Sequence, residues 1–113
     1  MKLDNREEQM HKPFNESPGI PAEDLAAEAA AGTVLVDVRE VSETAGGVIP
    51  GALCLPLSQL GARIDALPRE QRLAVYCRSG IRSDAACRML RQAGYDAHNV
   101  LGGYERWRQF QGR

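Results

Sequence analysis

The chain is predicted to adopt an α/β fold, a three-layer sandwich in which a mostly parallel sheet of about five strands carries helices on both faces. Three observations predict it. Short apolar runs, Thr33-Val34-Leu35-Val36-Asp37-Val38 and Leu73-Ala74-Val75-Tyr76, are too brief for helices, and the first is β-branched like a strand buried on both faces. Segments with apolar residues at helical spacing alternate with them. Glycines and prolines punctuate the alternation.

Residues 1–18 are polar, contain Pro13 and Pro18, and read as a flexible tail or docking arm, leaving 19–113 as the domain. Pro21 fits a first helical position, followed by Glu23 and Asp24 and an alanine-rich helix from Leu25 to Ala31 that stops at Gly32. After the Thr33 to Val38 strand, Arg39-Glu40 opens a short helical stretch. The turn-rich Gly46-Gly47-Val48-Ile49-Pro50-Gly51 then leads to a strand, Ala52-Leu53-Cys54-Leu55. Ser58 reads as an N-cap, Leu60, Ile64 and Leu67 share a helix face, and Pro68 is the stop. The strand ending at Tyr76 feeds Cys77-Arg78-Ser79-Gly80-Ile81-Arg82-Ser83 and then a helix, with Ala85, Ala86, Met89, Leu90 and Ala93 at helical spacing. A strand of about His98 to Leu101 passes through Gly102-Gly103 into a last helix carrying Trp107.

Composition limits the function. A chain of 113 residues suits one domain with one modest core. Apolar residues at 43% and charged residues at 26% are ordinary for a globular protein, and a formal net charge of −1 gives no reason to expect nucleic acid or an anionic membrane as partner. No apolar run approaches a membrane span, and the charged N-terminus lacks a signal segment, so a cytoplasmic setting is expected. Cys54, Cys77 and Cys87 form no CxxC pair and suggest no disulfide framework. Cys54 and Cys87 read as buried structural residues. Neither His11 nor His98 stands where a Cys–His hydrolase or a zinc site would need it.

Cys77 is the exception. It ends a buried strand and precedes a helix N-terminus, where ligands of open α/β sheets bind and unpaired N–H groups favour an anion. A thiol in that field, with Arg78 and Arg82 in the same loop, is expected to be a stabilised thiolate. Gly80 lets the backbone curl with positive φ. Arg82, at the helix start, is the better anion ligand, and Arg78 reads equally well as a solvated rim charge.

Four stretches in consistent order, covering about residues 20 to 110, resemble a single-domain rhodanese. They are Val36-Asp37-Val38-Arg39-Glu40, Ile49-Pro50-Gly51-Ala52, the Cys77 to Arg82 loop, and Leu101-Gly102-Gly103 with Trp107. Val48 departs from the histidine the family often carries before its IPGA turn. The resemblance implies a rhodanese-like fold and a thiosulfate-type sulfurtransferase. In it Cys77 forms a persulfide, and Arg78, Ser79, Gly80, Ile81, Arg82 and Ser83 bind the substrate. Asp37 and Arg39 are then a supporting pair at a strand end. The implied partners are a small-molecule sulfur donor and a thiol or protein acceptor, and no metal or organic cofactor is required. A non-enzymatic interaction module is one rival. A phosphatase or arsenate reductase is another, although those need C-x5-R where this chain has C-x4-R.

Overall fold

The computed structural model describes residues 19–111, so the expected tail lies outside the described residues, and the domain is described from Gly19 onward. Five strands form one sheet in the order β1-β5-β4-β2-β3, with every pairing parallel. They are β1 (Gly19–Pro21), β2 (Val34–Asp37), β3 (Leu53–Cys54), β4 (Leu73–Tyr76) and β5 (Ala97–Leu101). The helices are α1 (Leu25–Ala30), α2 (Val41–Thr44), α3 (Leu57–Arg63), α4 (Ile81–Gln92) and α5 (Gly103–Gln111).

The apolar runs become the central strands because both of their faces are covered. In β4, Leu73 and Val75 join a cluster with Val36, Leu60, Leu67, Cys87 and Leu90, beneath α3 and α4. Ala74 and Tyr76 point the other way, into a cluster with Ile20, Leu25, Leu35 and Val100, against which Tyr104 and Trp107 of α5 pack. By the same alternation Cys77 continues the α3/α4 face and belongs to the first cluster. The three layers are therefore α1 with α5, the sheet, and α3 with α4.

Several local expectations change. Pro21 closes edge strand β1 instead of starting a helix, and precedes a 3-10 turn, Ala22–Asp24. The third strand shortens to Leu53–Cys54, and Cys54 is exposed, because β3 is an edge strand paired only with β2. Ser58 is not the cap. The helix begins two residues earlier than that cap implies, at Leu57 after Pro56, and the Ser58 hydroxyl donates instead to Glu40 Oε1 at 2.7 Å. Helix α3 ends at Arg63 and tightens into a 3-10 turn, Ile64–Ala66, which keeps Leu60 and Leu67 buried. Cys87 is buried, as expected.

Candidate active site

Strand β4 delivers Cys77 to the carboxyl end of the sheet, between the neighbouring ends of β2 and β5. The chain then turns over the sulfur and enters α4. Gly80 makes this possible: its φ of +112° is left-handed, a conformation a Cβ disfavours. The turn aims the Gly80 N–H at Cys77 Sγ, 3.1 Å away, and the Ser83 hydroxyl lies 3.3 Å from the same sulfur. Cys77 is 1% exposed, so the thiol forms the floor of the loop.

Burial pushes the Cys77 thiol up, since desolvation disfavours the charged form. Hydrogen bonds from the Ser83 hydroxyl and from the backbone N–H groups of Ser83, Gly80 and Ser79 outweigh it, and the net direction is below the ordinary thiol value. The loop thus stabilises a thiolate with the Ser83 hydroxyl and its own backbone N–H groups.

A second helix aligns those donors. The first N–H groups of α5 donate into the loop, Tyr104 N to the Cys77 carbonyl at 2.9 Å and Glu105 N to the Arg78 carbonyl at 3.0 Å. In a planar trans peptide, N–H opposes C=O. Turning these two carbonyls toward α5 therefore turns the Arg78 and Ser79 N–H groups away from it, into the loop interior. The approach is so close that a Cβ on Gly103 would lie 2.6 Å from the Cys77 carbonyl oxygen and 2.7 Å from that of Arg78. Gly103 is the contact that lets helix and loop meet.

Asn99 completes the floor. From β5 it donates to the Gly80 carbonyl at 3.1 Å, and its Oδ1 lies 2.6 Å from the Ser83 hydroxyl, whose single proton is shared between Asn99 and Cys77 Sγ. Sequence reading passed over it, although an amide inside an otherwise buried strand (8% exposed here) is a signal.

The two arginines part here: Arg78 takes the rim position the sequence allowed, and Arg82 is engaged by a carboxylate. Arg82 hydrogen-bonds that carboxylate, and Cys77 acts on Arg82 only through electrostatics. The guanidinium grips Glu43 of α2 through two contacts, at 2.5 and 2.6 Å. That pair holds the Glu43 carboxyl at about 2, through the Arg82 hydrogen bonds against the opposing effect of burial, and raises the Arg82 pKa. Arg78 lies on the rim, 70% exposed at its side chain, with Nε 2.7 Å from Glu105. Ile81 leaves its side chain in solvent at 80% exposure, so its place in the loop is one of backbone. No local pattern announces Glu43 or Glu105, which lie 39 and 27 residues from their partners.

Asp37 and Arg39 form a buried pair at the end of β2. Arg39 Nη2 donates to Asp37 Oδ2 at 2.8 Å and to the Gly47 carbonyl at 2.7 Å, and the guanidinium lies 4.1 Å from the Tyr104 ring centroid. The pair ties β2, the turn after α2 and the start of α5 together behind the loop. His98 sits opposite Ala74 in the sheet register, with Nε2 2.6 Å from Asp96, and takes no part in this network. Among the described residues no group of His, Cys, Asp and Glu could hold a metal ion.

The Rhodanese-like domain family matches residues 21–110. The chain belongs to this family. A "Sulfurtransferase" of Allochromatium vinosum is 43% identical over 75 residues, 66% of this chain and 70% of that protein. The human "Thiosulfate:glutathione sulfurtransferase" is 31% identical over 107 residues, 80% of this chain and 93% of that protein. Among solved structures, a rhodanese-related protein from Thermoplasma volcanium superposes with a TM-score of 0.78 at 34% identity, over 82% of this chain and 92% of that one. In other rhodanese-fold proteins the match is one part of a longer chain, as with 16% of the Bacillus anthracis CoADR-RHD structure. This rhodanese-like domain thus falls in a sulfurtransferase family, with a sulfur donor and acceptor as the general substrates. No helix among its described residues is long and apolar enough to cross a membrane.

Proposed function

We propose that the protein moves sulfane sulfur from a donor such as thiosulfate to a thiophilic acceptor through a persulfide on Cys77. The observation that carries this reading is the set of N–H groups and the Ser83 hydroxyl converging on a buried sulfur whose thiolate they stabilise. The Cys77 thiolate attacks the outer sulfur of thiosulfate. The sulfur–sulfonate bond breaks, and sulfite leaves with the electron pair. The terminal persulfide sulfur is anionic, and the N–H groups of residues 78–83 suit it as they suit the thiolate. An acceptor thiolate then attacks that sulfur, the bond to Cys77 Sγ breaks, and the Cys77 thiolate is restored. Such a double displacement gives ping-pong kinetics.

Because Arg82 is held by Glu43, its role toward the donor depends on exchanging one carboxylate partner for another anion. Arg78 is the more accessible charge. The name of the human relative supports thiosulfate as donor and a thiol as acceptor. A cytoplasmic setting, with reduced thiols available, fits the same reading.

The test is intact-protein mass spectrometry after brief exposure to thiosulfate, beside Cys77→Ser. A gain of one sulfur, removed by cyanide and absent in the variant, is expected. Wild-type protein that gains no sulfur from thiosulfate or mercaptopyruvate would overturn the reading and favour an interaction module.

A further inference from the structure

Beside the loop lies a cleft of about 340 Å³ lined by Arg39, Glu43, Arg78, Tyr104, Glu105 and Arg108. Its charges pair off almost completely. Arg39 is neutralised by Asp37, Glu43 by Arg82, and Arg78 by Glu105. Arg108 has no carboxylate partner among the described residues; its recorded contact is with the Tyr104 ring, 6.0 Å from the guanidinium carbon. Among the described residues the cleft therefore presents one uncompensated cation.

Its position relative to the Cys77 backbone follows from the helix. Tyr104 N is bonded to the Cys77 carbonyl, and Arg108 lies one turn further along α5, about 6 Å along the axis on the same face. Thiosulfate has one outer sulfur and one sulfonate group and is too compact to bridge the loop and a residue one helical turn beyond it. An organic thiol can bridge them, if its carboxylate lies several bonds from its sulfur. Arg78, exposed on the near rim, can turn from Glu105 toward the same carboxylate.

We propose that this cleft is the acceptor subsite and that Arg108 binds a carboxylate of a low-molecular-mass thiol during discharge of the Cys77 persulfide. The inference rests on the sulfurtransferase reading above and deepens it by naming the cleft and the residue that select among acceptor thiols. In the step, the acceptor thiolate forms a bond to the terminal sulfur, the terminal sulfur–Sγ bond breaks, and Cys77 leaves as thiolate. No oxidant or reductant is consumed.

The experiment separates the half-reactions. Persulfide is loaded from thiosulfate and measured by intact mass, then discharged with glutathione or with its dimethyl ester, in which the carboxylates are masked. Wild-type protein is expected to discharge about tenfold faster with glutathione than with the diester, the scale of one charge-assisted contact. Arg108→Glu is expected to abolish that preference while loading at the wild-type rate, and Arg108→Lys to retain most of it. Arg108 is exposed, so neither substitution threatens the fold. Equal rates for both thiols in wild type, or a preference that survives in Arg108→Glu, would overturn the proposal. Slowed loading in Arg108→Glu would also overturn it, assigning the residue to the donor. Binding of unreactive S-methylglutathione, followed by calorimetry, keeps the two readings apart. If no persulfide loads, binding to wild type and not to Arg108→Glu supports the cleft while the sulfur-transfer reading fails. If S-methylglutathione does not bind wild type, the cleft proposal fails even where loading succeeds.

Discussion

The floor and the rim of the Cys77 loop are built on opposite plans. The floor is buried, and its polar contacts come from backbone N–H groups, Ser83 and Asn99. The rim is partly exposed and made of arginine–carboxylate pairs, Arg82 with Glu43 and Arg78 with Glu105. Fixed dipoles in a dry site act on the sulfur at full strength and need no reorganisation when charge develops. Exposed ion pairs are weak and exchange partners readily. On the function proposed above, the difference gives reactivity to the floor and admission of charged reactants to the rim.

Substitutions in each region sharpen that division. Removing the sulfur has the largest effect: Cys77→Ser should leave no measurable transfer in a coupled sulfite assay, with a circular-dichroism spectrum like wild type. Gly103→Ala comes next. Its Cβ would meet the two loop carbonyls at 2.6 and 2.7 Å, and its φ of +59° is one that alanine adopts at a cost. The expected result is a loss of about 1–3 kcal/mol in urea unfolding and a fall in sulfur-loading rate on the order of a hundredfold as the N–H groups lose their aim.

Asp37→Ala tests the support behind the loop. It leaves the buried Arg39 charge without its carboxylate, at a cost of about 3–5 kcal/mol read as a lowered urea midpoint. Activity per folded molecule should fall less than in Gly103→Ala. At the rim, Glu43→Gln should weaken the hold on Arg82, lower the KM for thiosulfate several-fold and leave kcat within about twofold. A raised KM would mean that Glu43 positions Arg82 for the donor.

The same pair has a pH signature of known sign. The folded Glu43 carboxyl, at about 2, lies below its ordinary value near 4.5, so its contribution is fully present above about pH 4.5. It is lost as pH falls toward 2. Because both side chains are partly exposed, the contribution should be on the order of 1 kcal/mol, visible as a smaller acid-induced loss of stability in Glu43→Gln.

What was legible in the sequence follows the same division. The central strands were readable because burial on both faces leaves an uninterrupted apolar run, as in Val34-Leu35-Val36 and Leu73–Tyr76. The loop was readable because its residues are contiguous and share a backbone role. Edge elements were not. Strand β1 has three residues and β3 two, too few for a period, and the exposure of Cys54 depends on sheet order. The start of α3 was misplaced because Ser58, a common capping residue, is claimed by Glu40, 18 positions away. The surroundings of the loop's charges were hidden for the same reason. Arg78 and Arg82 are visible locally, while the carboxylates that neutralise them arrive from α5 and α2 through the fold.

The claim that the floor, and not the arginines, makes the Cys77 thiolate is tested most directly by its titration. The ultraviolet thiolate absorbance of wild type minus that of Cys77→Ser would be followed with pH, alongside the same difference in Ser83→Ala and Arg82→Ala backgrounds. The account predicts a midpoint below the ordinary thiol value of about 8.5, a clear rise in Ser83→Ala, and a smaller change in Arg82→Ala. A midpoint at or above the ordinary value, or one that moves with Arg82 and not with Ser83, would contradict it.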